Sequence, residues 1–314
     1  MNKINVAILS GGWSSEREVS LKSGKAVADA LDREQFEVIT IDPKYELQTL
    51  ISLKDFIDIV FVLLHGKFGE DGRIQGFLDI LGIPYVGSGV LASAMCMDKV
   101  VSKQLYSKLN LLTPEWLFVK NGETFDAKAI MSFIGAKVII KPVCEGSSVG
   151  VFICDKESEV CEGINEVFAL GEDVLIEEYI KGTEVTCCVL GNNYLETLPI
   201  VEIVPDKKFS FFSYEAKYTA GATNEICPAR INPYLSDIIN EMSKIVHSSF
   251  RCRAWSRSDF IIEGDNVYIL ETNTLPGMTE NSLFPLAART AGISFPKLVE
   301  KLISLSIKQQ GVKI

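Results

Sequence analysis

Asp259, Glu271 and Asn273 are the side chains whose types and spacing most clearly suggest chemistry. Asp259 precedes one apolar run, FII, and Glu271 follows another, VYIL, with the segment EGDN between the runs. This pattern predicts a β-hairpin, because β-branched and aromatic residues favour strands whereas Gly, Asp and Asn favour turns. If residues 264–266 form a three-residue loop, Asp259 lies opposite Glu271, and the side chain of Asn273 shares their face.

Two carboxylates and an amide oxygen at one end of a hairpin are suited to Mg²⁺. This ion prefers oxygen ligands, keeps several waters and is commonly held by one or two carboxylates together with substrate phosphates. The hairpin therefore predicts a nucleoside triphosphate as ligand. A surface hairpin with solvated acids is the alternative, but Arg257 just before the first acid and the TLPG turn after Asn273 favour a site.

Composition limits the class of protein. A chain of 314 residues is long enough for two or three compact units, and 47% hydrophobic with 23% charged residues is typical of a soluble globular protein. The net charge of −10 disfavours nucleic acid as a partner, because phosphate backbones require a basic face. ATP remains possible, since it needs only a local basic pocket.

The sequence also indicates the compartment. No apolar run approaches the ~20 residues needed to cross a bilayer, and the short N-terminal run ending in Gly11-Gly12 is interpreted as a strand rather than a signal peptide. The eight cysteines form no CxxC pair, and several lie inside apolar runs. We therefore expect small buried thiols in a reducing cytoplasm and no contact with a membrane.

Residues 1–95 alternate between strand and helix patterns, which predicts an open parallel α/β domain. Ligands of such sheets bind beyond the carboxyl ends of the strands, where the loops 11–17 and 65–72 lie. Glu16 and His65 are therefore well placed to meet a ligand. The alternatives are a first-turn acid that complements the helix dipole for Glu16, and a structural role for His65.

The glycine-rich segment KPVCEGSSVG, residues 141–150, is a candidate phosphate-binding flap. Gly146 and Gly150 allow the backbone to approach a ligand, while Ser147, Ser148 and neighbouring N–H groups can donate to phosphate oxygens. The segment is neither a Walker A loop nor a G-x-G-x-x-G fingerprint. A plain glycine-rich turn is the alternative.

Other segments could contact the nucleotide or a second substrate. A long helix is predicted over residues 90–109, and a polar loop over residues 209–230 has the length of a lid or binding loop. After strand 173–180, a hinge could offer backbone groups to an adenine edge, with Glu184 accepting from a ribose hydroxyl. Ser282 precedes a helix start that suits a carboxylate, although an ordinary N-cap is the alternative.

Taken together, these stretches resemble the D-alanine–D-alanine ligase family of the ATP-grasp superfamily. The resemblance implies an α/β and α+β ATP-grasp fold: an open parallel N-terminal domain (1–95), a small central domain (96–180) and a C-terminal antiparallel-sheet domain (181–314) with the metal site and lid, ATP being held between the last two. It covers essentially the whole chain, in order, through GGWSSEREVSLKSG, HGKFGEDG, DK at 98–99, KPVCEGSSVG, EEYIKGTE, YEAKY and ETNTLPGMTENSL.

The resemblance also implies the residues that bind the nucleotide and metal. Two Mg²⁺ ions, with Mn²⁺ as a possible substitute, would be held by Asp259, Glu271 and Asn273. The expected ATP contacts are Lys99, Lys141, Ser147, Ser148, Glu177, Glu178, Tyr179, Ile180 and Glu184.

The implied reaction is phosphorylation of one D-alanine by ATP and attack of a second D-alanine on the acyl phosphate, for peptidoglycan precursor synthesis. Glu16 would bind the first ammonium and Ser282 the second carboxylate, and a homodimer is expected. The expected substrate contacts are Glu16, His65, Lys217, Ser282 and Leu283, and the expected catalytic group is Glu16, Ser147, Tyr218, Arg257 and Gly277.

The chain departs from the family pattern at one place. Where the family usually reads GRID or GRVD, this chain has Ser256, Arg257, Ser258 and Asp259, so local repacking is expected. The alternatives are a ligase that uses D-lactate or D-serine as second substrate, and a nucleotide-binding regulatory protein without catalysis. Tyr218 argues against D-lactate, while the retained lysines, arginine and metal ligands argue against a silent protein.

Overall fold

A computed structural model describes residues 3–146, 149–205 and 223–310, and three β-sheets organise these residues. The first sheet is parallel, with the order β2-β1-β3. Its strands are apolar because both faces are covered, as in the continuous burial of β3. Its elements are β1 (Ile4–Leu9), α1 (Arg17–Ala30), β2 (Phe36–Ile41), α2 (Pro43–Ser52), β3 (Ile59–Val62) and α3 (Arg73–Leu81).

The single long helix predicted over residues 90–109 is wrong. The structure has two helices, α4 (Val90–Met97) and α5 (Lys99–Lys108), separated by Asp98 with extended backbone at φ −83° and ψ 105°. The Asp98 carboxylate accepts a hydrogen bond of 3.0 Å from the Val101 N–H and caps α5. Lys99 is consequently the first residue of a helix.

The second sheet is antiparallel, with the order β4-β7-β5-β6. Helices α6 and α7 pack on it, and their apolar faces form one core with the strands. Its elements are β4 (Trp116–Val119), α6 (Ala127–Ile134), β5 (Val138–Pro142), β6 (Phe152–Cys154), α7 (Glu157–Ala169) and β7 (Val174–Glu178).

The third sheet is antiparallel, with the order β11-β10-β8-β12-β13, and β9 pairs with β8. Helices α8, α9 and α10 complete the described residues of this part of the chain. The elements are β8 (Thr183–Gly191), β9 (Leu195–Thr197), β10 (Val201–Pro205), β11 (Thr223–Ile226), α8 (Pro233–Ser249), β12 (Ala254–Glu263), β13 (Asn266–Asn273), α9 (Leu283–Thr290) and α10 (Phe295–Gln310).

One hydrophobic core joins the two ends of the chain. It contains strands of the first sheet together with Trp255, Phe284 and the inner face of α10. Trp255 contacts Phe61 of β3 and Phe284 edge-on, with ring centroids 6.3 and 5.2 Å apart. This shared core packs the first and third sheets against each other.

Two expectations from composition can be compared with the structure. All eight cysteines lie in described ranges and are free thiols, and five of them are buried. Within the described ranges, no helix is long and apolar enough to cross a membrane.

Candidate active site

The β12–β13 hairpin places Asp259 opposite Glu271, but by a different route from the predicted one. The turn has two residues, because Glu263 pairs with Asn266, and Gly264 takes the left-handed conformation at φ +58°. A register shift after Phe260, which pairs with Ile269, then skips one residue of β13. The short turn and the bulge compensate, so that the expected pair of acids still forms.

Asp259 is held by three neighbours. Arg257 donates to both carboxylate oxygens, from Nε at 2.8 Å and Nη2 at 2.7 Å, and the Thr186 hydroxyl donates at 2.5 Å. The amide nitrogen of Asn273 lies 3.3 Å from Oδ2 of Asp259. Burial lowers the pKa of Arg257, but the charge and hydrogen bonds of Asp259 raise it overall, so the guanidinium remains a cation.

The donor set of this hairpin fits magnesium by its chemistry. The paired carboxylates of Asp259 and Glu271 and the amide of Asn273, two residues after Glu271, supply hard oxygen atoms. Mg²⁺ takes its remaining ligands from water and phosphate. Among the described residues, no group of three or more His, Cys, Asp or Glu could hold a metal ion. A cage made only of protein carboxylates is therefore not what this hairpin provides.

Lys99 contacts the loop that follows β5. Its ammonium donates to the Glu145 carbonyl at 2.5 Å and to the Val143 carbonyl at 3.4 Å. Burial lowers the pKa of Lys99, while the charge of Glu271 opposes the shift. The position of Lys99 at the start of α5 brings this cation to the first part of the candidate phosphate-binding segment.

Lys141 and Glu177 lie on the neighbouring strands β5 and β7 and form an ion pair. Lys103, which the sequence analysis missed, forms a second ion pair with Glu177 and is fully buried. Burial lowers the pKa of Lys103 to about 8, whereas both lysines hold the pKa of Glu177 low despite its burial. The spacing of Lys103 from Lys99, four residues on one helix face, is a signal that could have identified it.

The predicted adenine segment, residues 177–180, begins inside β7. Two of its N–H groups are already used: Glu178 donates to the Glu115 carbonyl at 2.9 Å and Tyr179 to the Lys137 carbonyl at 3.2 Å. The side chain of Ile180 is buried. Glu184 follows on β8, where it is half-buried between strands β10 and β12.

Glu16 and His65 meet beneath two glycines. Glu16 is the N-cap residue of α1, yet its side chain does not cap the helix and is buried. A Cβ added to Gly146 or Gly66 would lie 2.9 or 3.2 Å from Glu16 Oε2, so a larger residue at either position would displace this carboxylate. Burial lowers the pKa of His65 against the charge of Glu16, and its Nε2 has no hydrogen-bond partner among the described residues.

Glu70 is a further acid that the sequence analysis missed. It accepts a hydrogen bond of 2.7 Å from the Gly66 N–H. Burial, and then the charge of Glu16, raises the pKa of Glu70 to about 8. Its place in the loop after β3, five residues beyond His65, was the available signal.

The other end of the site is the start of α9. Ser282 is its N-cap residue but does not cap it, which disfavours the ordinary N-cap interpretation. The Ser282 hydroxyl instead accepts from the Thr279 N–H at 3.0 Å and bonds the Thr279 hydroxyl at 2.8 Å. A Cβ on Gly277 would lie 2.9 Å from the Ser282 hydroxyl, and the side chain of Leu283 is buried.

A cavity of about 980 Å³ unites many of these groups. Lys141, Glu184, Asp259 and residues 177–180 are not in its lining, so the expected adenine contacts lie apart from it. Its lining includes Glu16, His65, Glu70, Lys99, Gly146, Arg257, Glu271, Asn273, Gly277, Ser282 and Leu283.

Comparison with known proteins identifies the family. A model whose description is "D-ala D-ala ligase C-terminus" matches residues 105–304, and one described as "D-ala D-ala ligase N-terminus" matches residues 5–52 and 44–88. The chain belongs to the D-alanine–D-alanine ligase family.

Individual relatives agree over the full length. A D-alanine–D-alanine ligase of Syntrophobacter fumaroxidans is 45% identical, with 98% of each chain covered. The ligase of Bacillus anthracis in complex with ATP is a structural neighbour at 34% identity and a TM-score of 0.87, with 99% of each chain covered, which confirms the expected ATP-grasp fold. VanG D-Ala:D-Ser ligase of Enterococcus faecalis matches at 30% identity and a TM-score of 0.82, with 97% and 100% coverage.

The two serines that depart from the D-alanine–D-alanine ligase pattern are both buried and both have partners. Ser256 Oγ lies 2.8 Å from His247 Nδ1 on α8. Ser258 Oγ lies 2.9 Å from Thr272 Oγ1, which in turn lies 3.0 Å from the Tyr106 hydroxyl. Both hydroxyls are thus hydrogen-bonded to neighbouring polar groups, and the expected local repacking remains a prediction.

Four expected site residues, Ser147, Ser148, Lys217 and Tyr218, lie outside the described residues. The expected hydrogen-bonded group of Glu16, Ser147 and Tyr218 therefore remains a prediction.

Proposed function

We propose that the protein joins two D-alanines into D-alanyl-D-alanine, with ATP converted to ADP and phosphate, through a D-alanyl phosphate. One observation carries the proposal. A single cavity combines carboxylates beside the β3 loop, an uncapped helix start on α9 and the cations Lys99 and Arg257. Such a space can bind an ammonium at one end, a carboxylate at the other and phosphoryl oxygens between them.

Each end of the cavity suits one substrate group. Glu16 would bind the ammonium of the first D-alanine beside His65, whose pKa is lowered by burial and whose Nε2 has no hydrogen-bond partner in the described part of the chain. The start of α9, with Ser282 and Leu283, would bind the carboxylate of the second D-alanine through N–H groups of a first turn that no side chain caps. The two amino acids would then lie with an amine facing a carboxyl carbon, as ligation requires.

The reaction would proceed in two displacements. A carboxylate oxygen of the first D-alanine takes the γ-phosphoryl group of ATP and releases ADP. The amine of the second D-alanine then attacks the acyl carbon, loses a proton and expels phosphate. Arg257, Lys217 and the Gly277 N–H would stabilise the charge that builds on the phosphoryl group and on the tetrahedral oxyanion.

The nucleotide would lie along Lys99 and Lys141, with the loop containing Ser147 and Ser148 over its phosphates. Asp259, Glu271 and Asn273 would hold two Mg²⁺ ions, or Mn²⁺, which when bound neutralise charge on the transferred phosphoryl group. The adenine would contact residues 177–180, with Glu184 on the ribose. Tyr218 would join Glu16 and Ser147 in closing the site against water.

The same proposal includes the cellular setting that the family resemblance implies. The protein would act in the cytoplasm as a homodimer and supply a dipeptide for peptidoglycan precursors. A second candidate is ligation of D-alanine to D-serine, which the similarity to the VanG D-Ala:D-Ser ligase favours.

Phosphate release from ATP and Mg²⁺ tests the proposal. Phosphate release by the purified protein is measured with D-alanine alone, with L-alanine alone, and with D-alanine plus D-serine or D-lactate. The products are identified by mass. We expect D-alanine alone to give the dipeptide. Asp259→Ala serves as the inactive control, with a loss of about 10³-fold. ATP binding without turnover of any pair would instead indicate a silent nucleotide-binding protein.

A further inference from the structure

Lys67 connects two parts of the chain that are far apart in sequence. It lies in the loop between β3 and α3, and its ammonium is 2.8 Å from Glu145 Oε1 in the loop after β5. It also pairs with Glu172, in the turn between α7 and β7. One cation of the first sheet's loops therefore holds two carboxylates from the loops of the second sheet.

The electrostatics favour this arrangement. Burial lowers the pKa of Lys67, but hydrogen bonds and charge from Glu145 and Glu172 raise it overall. The two carboxylates approach one ammonium and would otherwise repel each other. All three side chains are partly shielded, with 34%, 23% and 13% exposure, so their attraction is screened less than that of a surface pair.

Glu145 belongs to the candidate phosphate-binding segment. While Lys67 holds its side chain, Lys99 donates to its main-chain carbonyl at 2.5 Å. The next residue, Gly146, lies directly against Glu16. A shift of the Lys67–Glu145 contact would therefore move backbone that touches both the expected phosphate cation and the expected ammonium site.

We propose that Lys67 is a positioning residue that holds residues 143–146 against the first sheet and so keeps this part of the candidate phosphate-binding segment in place for ATP. The inference rests on the proposed ATP-dependent function. Loss of this ion pair would lower the fraction of protein competent to bind ATP, and apparent affinity falls in proportion to that fraction. The chemical step, carried out by other groups, would be affected far less.

The test compares three variants by direct ATP binding and by steady-state kinetics. Lys67→Met should raise the Kd and KM for ATP about tenfold and change kcat less than twofold. Lys67→Arg, which can bind both carboxylates, should remain within threefold of the unmodified protein. The matched control is Lys156→Met, because Lys156 pairs with Glu159 at 2.8 Å within the same second-sheet region and is exposed.

A double-mutant cycle of Lys67→Met with Glu172→Gln adds a readout that general destabilisation does not give, since the two effects on KM should be strongly non-additive. Equal effects of Lys67→Met and Lys156→Met on ATP binding would overturn the proposal, as would a fall in kcat without a change in KM. Weakened ATP binding in Lys67→Met, combined with no ligase activity in any protein, would preserve the positioning role and refute the proposed function.

Discussion

At the scale of single residues, the two histidines of the chain are both buried and both have lowered pKa values. Burial lowers the pKa of His247 to about 4, and its Nδ1 is bonded to Ser256. A histidine that stays neutral when folded gains protons mainly in the unfolded state. The contribution of His247 to the free energy of unfolding is therefore fully present above about pH 6.5, and this contribution is lost as the pH falls towards about 4.

We predict that His247→Gln flattens this dependence, because glutamine can bond Ser256 without titrating. Between pH 7.5 and 5.5 the unmodified protein should lose about 1.4 kcal/mol more unfolding free energy than the variant. Urea unfolding at each pH measures the difference. A His247 ring signal that titrates near pH 6.5 in the folded protein would contradict the explanation.

Residue types in known motifs could be predicted from the sequence, but their burial could not. Lys103 and Glu70 belong to none of the motifs' expected site positions. Only the fold shows that Lys103 is fully buried against Glu177 and that Glu70 lies beside Glu16. Such roles depend on contacts between distant segments. Local spacing could single out each residue, but it does not give the burial of the side chain or its distant partner.

At the scale of elements, the pairing of the β12–β13 hairpin was predicted correctly and its turn wrongly. A two-residue turn with a bulge gives the same Asp259–Glu271 pair as the expected three-residue loop without one. The runs of β-branched and aromatic residues indicated the two strands, but they carry no information on where an extra residue is accommodated. The break between helices α4 and α5 at Asp98 was also missed. The helical pattern of apolar residues continues across Asp98, and only the local cap that Asp98 forms for α5 marks the break.

This comparison predicts a contrast between two insertions. One glycine added between Gly264 and Asp265, which are exposed, should be absorbed by a longer turn and leave kcat/KM within about threefold. One glycine added between Tyr268 and Ile269 should exchange the faces of the following strand and separate Glu271 from Asp259. We expect a loss of at least about 10²-fold in ligase activity, assayed beside circular dichroism. Equal activity of the two insertions would refute the register argument.

At the scale of the whole molecule, the cavity is formed by segments from the first, second and third sheets around a core that joins both chain ends. The order of motifs indicated the fold, because the family resemblance spans the chain. The joint core was not predicted, since Trp255 and α10 reach the first sheet only through tertiary packing. One consequence is that charges from segments of different sheets act on each other.

Glu70 shows this coupling between segments of different sheets and is the subject of the last prediction. Burial and the charge of Glu16 raise its pKa to about 8, while Arg257 of the third sheet opposes the shift. At pH 7 the free protein therefore holds a proton on Glu70 in about 0.9 of molecules. An ammonium bound near Glu16 stabilises the ionised carboxylate, so D-alanine binding should expel that proton.

Calorimetric titration of D-alanine in two buffers with different ionisation heats measures the proton count. We expect a release approaching about 0.9 proton per site at pH 7 that falls towards zero near pH 9, because Glu70 is then already ionised. Glu70→Gln should abolish the release, whereas Glu18→Gln, an exposed carboxylate at the cavity rim, should retain it. Release that persists in Glu70→Gln would assign the proton to another group, and uptake in place of release would show that the ammonium binds away from the Glu16–Glu70 pair.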